Sequence, residues 1–170
     1  MSMRIFKNIL VGALALLGLL AGEVFAQATS ATVAVSAVVP KACRFYSGPA
    51  SMTISHGGVQ IDPTSGSNAT GSTTLNYRCT NTVLPRFDID ASGTYASPKN
   101  ATVSLAGLAV PANTVAASIT VTATGGAGSG LGAGNDKTAT IDGLITPANF
   151  SGAAPDTYSK DVTIGIEAIP

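Results

Sequence analysis

The stretch "TVAASITVTATG", Thr114–Gly125, decides the fold class. Val115, Ala117, Ile119, Val121 and Ala123 fall on every second position and form one apolar row. A period of two is the mark of a strand with one buried face. The same pattern recurs along most of the chain. "STTLNYRCT" (Ser72–Thr80) puts Thr73, Leu75, Tyr77 and Cys79 on one face. "PRFDIDAS" (Pro85–Ser92) puts Phe87, Ile89 and Ala91 inward and Asp88 and Asp90 outward. "TVSLAGLAV" (Thr102–Val110) offers Val103, Leu105 and Gly107, and "SKDVTIGIEAIP" (Ser159–Pro170) offers Val162, Ile164, Ile166 and Ala168. "SMTIS" (Ser51–Ser55) and "TATIDGLI" (Thr138–Ile145) are shorter strand candidates. Short alternating runs separated by Gly, Pro, Asn and Ser predict an all-β antiparallel sandwich or barrel.

The N-terminus carries two further signals. Arg4 and Lys7 precede the apolar run "ILVGALALLGLLA" (Ile9–Ala21), and "VFA" (Val24–Ala26) supplies a small-residue cleavage site. This layout predicts a secretory signal peptide over residues 1–26. The run is shorter than the roughly 20 residues of a bilayer span, so no stable membrane insertion is expected after cleavage. Next comes "SATVAVSAVVPKACRF" (Ser30–Phe45), in which Ala31, Val33, Val35, Ala37 and Val39 form an apolar row with no charge before Lys41. A terminal strand with an apolar face needs a surface to lie against. Periodicity leaves open whether that surface is its own sandwich or another molecule.

Composition narrows the function classes. Nine Lys/Arg balance nine Asp/Glu in 170 residues, charged residues make up 11%, and there is no tryptophan. No basic patch suggests nucleic acid. Sparse charge with abundant small residues suits a surface polymer or coat component better than a freely diffusing enzyme. The two cysteines, Cys43 and Cys79, read as a disulfide in an exported chain. Closing that loop is expected to stabilise the fold by about 4 kcal/mol. "GGAGSGLGAGND" (Gly125–Asp136) lacks the Lys-Ser/Thr of a phosphate loop and reads as a flexible hairpin loop. His56, the only histidine, precedes Gly57 and Gly58 and reads as a turn residue. Asn68 and Asn100 begin Asn-Ala-Thr triplets that match the glycosylation acceptor pattern. No constellation suggests catalysis, a metal or a cofactor, so the chain is expected not to be an enzyme. A carbohydrate-binding module would present aromatic platforms, whereas Tyr46, Tyr95 and Phe150 are isolated.

The order of these features resembles the spore coat protein U family, which includes the pilins of archaic chaperone–usher pili. The resemblance rests on the export signal, the alternating segment and Cys43 four residues beyond it. It also rests on the second cysteine in "LNYRCTNTVLPRFDIDASG" (Leu75–Gly93), and on Gly152, Tyr158 and Asp161 ahead of a β-branched tail. It covers the chain from Gln27 onward. Tyr158 and Asp161 stand one residue further apart than the family pattern has them.

The resemblance implies an incomplete immunoglobulin-like sandwich over residues 41–170. Its groove would be filled by a neighbouring subunit's donor segment, residues 27–40. Val162, Ile164, Ile166 and the Cys79 strand are the expected groove lining. The implied partners are a periplasmic chaperone, an outer-membrane usher and neighbouring pilin subunits in a homopolymer or mixed fibre. The implied location is the cell surface, reached through the periplasm, with a role in adhesion or biofilm formation. The rival expectation is a secreted, self-contained β-sandwich that forms a coat or binds carbohydrate.

Overall fold

The structure, a computed structural model, describes residues 32–46, 48 and 50–169. The expected signal peptide, residues 1–26, and Ala31 of the expected donor row lie outside the described residues. The chain divides into two units, residues 1–38 and 39–170.

In the second unit the alternating runs form eight strands: β1 (Cys43–Phe45), β2 (Ala69–Cys79), β3 (Leu84–Ile89), β4 (Lys99–Gly107), β5 (Thr114–Ala123), β6 (Lys137–Ile145), β7 (Tyr158–Ser159) and β8 (Ile164–Ile169). A single helical turn, α1 (Pro147–Phe150), follows β6. All pairings are antiparallel, in a six-stranded sheet of order β1-β2-β6-β5-β4-β7 and a two-stranded sheet β3-β8. The fold is all-β and sandwich-like, as the alternation predicts. Among the described residues no helix is long and apolar enough to cross a membrane.

Register follows from the apolar rows. Ile119 pairs with Ala101 and Gly143, and Val121 with Lys99 and Ile141, so β5 is central and its row Val115, Ala117, Ile119 and Val121 is buried. β1 and β2 align Cys43 with Cys79, and the predicted disulfide joins them across the ladder. Beside it Tyr77 and Phe87 are fully buried and meet edge-on at 6.1 Å, joining the two sheets.

Four expectations change. "SMTIS" forms no strand: only Ser55 bridges, to Thr70, because no neighbouring strand lies beside 51–54. Asp88 points away from the main core yet is only 2% exposed, because the 92–99 loop folds over it. Its carboxylate accepts from Ile89 N, Gly93 N and the Ser92 hydroxyl, and Lys99 Nζ lies at 3.6 Å. Ala91 is exposed because the chain turns there, with positive φ at Asp90 and Ala91. The Gly-rich loop joins β5 to β6 as expected, but it is pinned. Gly128 exchanges backbone hydrogen bonds with Thr82 and Val83, Gly130 N donates to Cys79 O, and a side chain at Gly128 would collide with the backbone of Cys79 and Thr80.

Candidate functional site

The two sheets are unequal, and the site follows from that. A two-stranded sheet cannot cover the inner face of six strands. At the disulfide end β3 and β8 lie over it. Elsewhere the inner face floors a cavity of about 1350 Å³. Leu105 of β4, Val115 and Ile119 of β5, and Ile141 and Ile145 of β6 form that floor. This volume exceeds the roughly 300–1,000 Å³ of ordinary small-molecule pockets. A second cavity of about 250 Å³ shares Ile141, Val162 and Ile164 and extends the groove toward Phe45 and Leu75.

Two segments wall the groove. The first runs from Ala50 to Ile61. Gly71 and Gly143 are register partners on the inner face of β2 and β6, and the absence of side chains there lets residues 52–54 cross the sheet. A Cβ at Gly71 would collide with the Thr53 carbonyl, and one at Gly143 would meet Met52 Cε at 2.6 Å. Beyond this crossing His56 and Val59 pair around the Gly57-Gly58 turn, as His56's place before the glycines predicts. The His56 ring then packs edge-on against Phe150 at 5.4 Å, its Nδ1 accepting from Asp62 N. The second wall is the strap 153–163, which leads from the β4 edge of the larger sheet to β8 of the smaller.

Part of each wall has the burial pattern of a strand without the pairing of a strand. Met52 and Ile54 are half-buried between exposed Ser51 and Thr53, and Val162 and Ile164 between exposed Asp161 and Thr163. Among the described residues, the backbones of 51–54 and 160–162 make no hydrogen bond to a neighbouring strand. Unpaired backbone beside an apolar floor is the geometry that accepts another strand.

The strap's ends are fixed by carboxylates. Asp156 accepts from the backbone N–H of Ala109 (3.1 Å), Val110 (3.0 Å) and Thr157 (2.7 Å), and these bonds hold its carboxyl below the usual range. Asp90 pairs with Lys160 at 2.5 Å and accepts from Thr163 N at 3.0 Å. The Lys160 bond chiefly lowers its pKa.

The expected site residues fall as follows. Val162 and Ile164 line both cavities. Ile166 does not. It pairs with Phe87 and packs, half-buried, against the core. From the Cys79 strand, Thr73 and Leu75 line the cavities, whereas Cys79 is wholly buried. The described residues of the expected donor row are exposed: Val33 78%, Val35 89% and Val39 78%, with Ala37 likewise in solvent. The described residues 32–42 belong to no strand. Sequence reading missed the Met52–Ile61 wall as a wall, although the apolar alternation of Met52 and Ile54 was its signal. It also missed the floor's role, because floor and core residues share one pattern. Comparison of the chain with protein-family models, with curated proteins and with solved structures found no match.

Proposed function

We propose that the chain is a structural subunit of a surface fibre, assembled by strand addition between successive copies. One observation carries this reading: an apolar floor lies between two extended walls whose backbones at 51–54 and 160–162 lack strand partners, in a chain whose own N-terminal segment is apolar, uncharged and exposed. Residues 31–39 extended would span about 26 Å at roughly 3.3 Å per residue, with a side chain directed to the floor at every second position. Ala31, Val33, Val35, Ala37 and Val39 form the inserted row. Met52–Ile54 and Lys160–Val162 supply ladder partners on either side.

Unpaired backbone beside an apolar floor is an aggregation hazard, which would call for the periplasmic chaperone and outer-membrane usher implied by the sequence resemblance. The disulfide fits an oxidising, exported setting. Adhesion or biofilm formation at the cell surface is the corresponding role.

The alternation provides the test. Val35→Asp places a carboxylate on the apolar floor, which costs several kcal/mol, whereas Ser36→Asp leaves its charge in solvent. Val35→Asp should abolish fibre formation, scored by electron microscopy and by size in unheated gels, while Ser36→Asp permits it. If Val35→Asp instead lowers the melting temperature of the isolated monomer, the segment completes its own fold. Equal tolerance of both changes overturns strand insertion altogether.

A further inference from the structure

We propose that Asp156 is a positioning residue that sets how readily the groove admits and releases a strand. This rests on the strand-addition reading above. The strap that walls the groove is held to the larger sheet by little regular structure. β7 pairs only Ser159 with Ala106 and Tyr158 with Gly107, and Leu108 N donates to Thr157 O at 2.8 Å.

Asp156 supplies the rest. Its Oδ1 accepts from Ala109 N and Thr157 N and its Oδ2 from Val110 N, so one carboxylate ties the strap to the β4–β5 turn. The turn is shaped for it. A Cβ at Gly107 would collide with Asp156 Oδ2 and would lie 2.7 Å from Val110 O, so a side chain there would displace the carboxylate.

The unpaired backbone of 160–162 lies between this clasp and the Asp90 anchor at Lys160 and Thr163. The edge that an incoming strand would pair with is therefore placed by Asp156 on one side and Asp90 on the other. The floor belongs to β4, β5 and β6 and depends on neither. Releasing Asp156 should free the wall and leave the floor intact, so the effect falls on strand exchange rather than on the core. In Asp156→Asn the amide nitrogen is a donor facing backbone N–H donors, so one side of the clasp is lost with almost no change of shape.

The test uses the chain lacking residues 1–26, at a concentration where it is monomeric, and a fluorescent peptide of sequence Ser30–Pro40. Asp136→Asn is the control. It breaks a comparable carboxylate clasp, the bidentate pair with Arg78, whose residues do not line the groove. Peptide dissociation should be about tenfold faster in Asp156→Asn and unchanged in Asp136→Asn. Amide exchange should rise at Leu108, Val110 and Thr157, whose N–H groups the clasp holds, while the floor amides of β5 stay protected. Equal dissociation from wild type and Asp156→Asn overturns the proposal, as does equal acceleration in the control or loss of protection in β5. Failure of the wild type itself to bind the peptide overturns the strand-addition reading and this inference with it. That outcome differs from a wild type that binds and a variant that behaves identically.

Discussion

The two ends of the sandwich are built from the same kind of sequence and reach different states. At the disulfide end Tyr77, Phe87 and Ile89 are at most 1% exposed, Phe45 stacks 6.4 Å from Phe87, and Cys43 is bonded to Cys79. At the other end Val115, Ile119, Ile141 and Ile145 are also only 2–7% exposed, but with Leu105 they line a cavity instead of meeting a second sheet. Alternation alone does not distinguish Val121, in the closed half, from Val115, on the groove floor. The difference lies in the second layer, which at one end is a pair of bonded strands and at the other is two walls whose backbones are unpaired at 51–54 and 160–162. A row of apolar residues thus records that a face is to be covered, not what covers it.

Mutations on either side should separate the halves. Phe87→Ala removes a fully buried ring that joins both sheets and should cost about 3–5 kcal/mol, measured by denaturant unfolding. Val162→Ala, on a half-buried groove residue, should cost about 1 kcal/mol or less while weakening assembly. Equal losses of stability would mean that the groove is as tightly packed as the core.

Reduction of Cys43–Cys79, which closes a separation of 36 residues, should lower stability by about 4 kcal/mol in the chain-entropy model. The melting temperature with and without reductant measures this, and an unchanged value would show that the closed end does not depend on its cross-link. Gly71→Ala forces the Thr53 backbone outward and should cost about 1–3 kcal/mol, with chemical-shift changes concentrated at 50–55 and sparing β3 and β8. Changes spread through β3 would break the proposed independence of the two halves.

The smallest effect is acid loosening of the strap. Asp156 and Asp90 have lowered pKa values when folded. Their contribution is therefore complete above the unfolded carboxylate value of about 3.9 and is lost as pH falls through the lower folded values. Amide shifts of Ala109, Val110 and Thr163 should stay constant from pH 7 to 5 and move below about pH 4. In Asp156→Asn the transition should vanish at Ala109 and Val110 and persist at Thr163.

The sequence by itself determined the strands β2, β3, β4, β5, β6 and β8, the inward apolar rows on them and the cysteine pair. Each of these depends on local periodicity or on a count of two thiols. It also marked residues 30–39 as apolar, alternating and uncharged. Tertiary structure decided the remainder. Asp88 alternates outward but is buried by a loop that closes over it, and Met52–Ile54 alternates like a strand without a ladder. Ile166 belongs to the same row as Val162 and Ile164 but pairs with Phe87 and does not line the groove. Asp156 and Gly107 become a clasp only when a strap 49 residues downstream crosses the β4–β5 turn. Periodicity specifies which side of a strand is apolar, because that side is fixed by the backbone's two-residue repeat. Which element lies against it depends on contacts between residues far apart in the chain, and no local pattern encodes those.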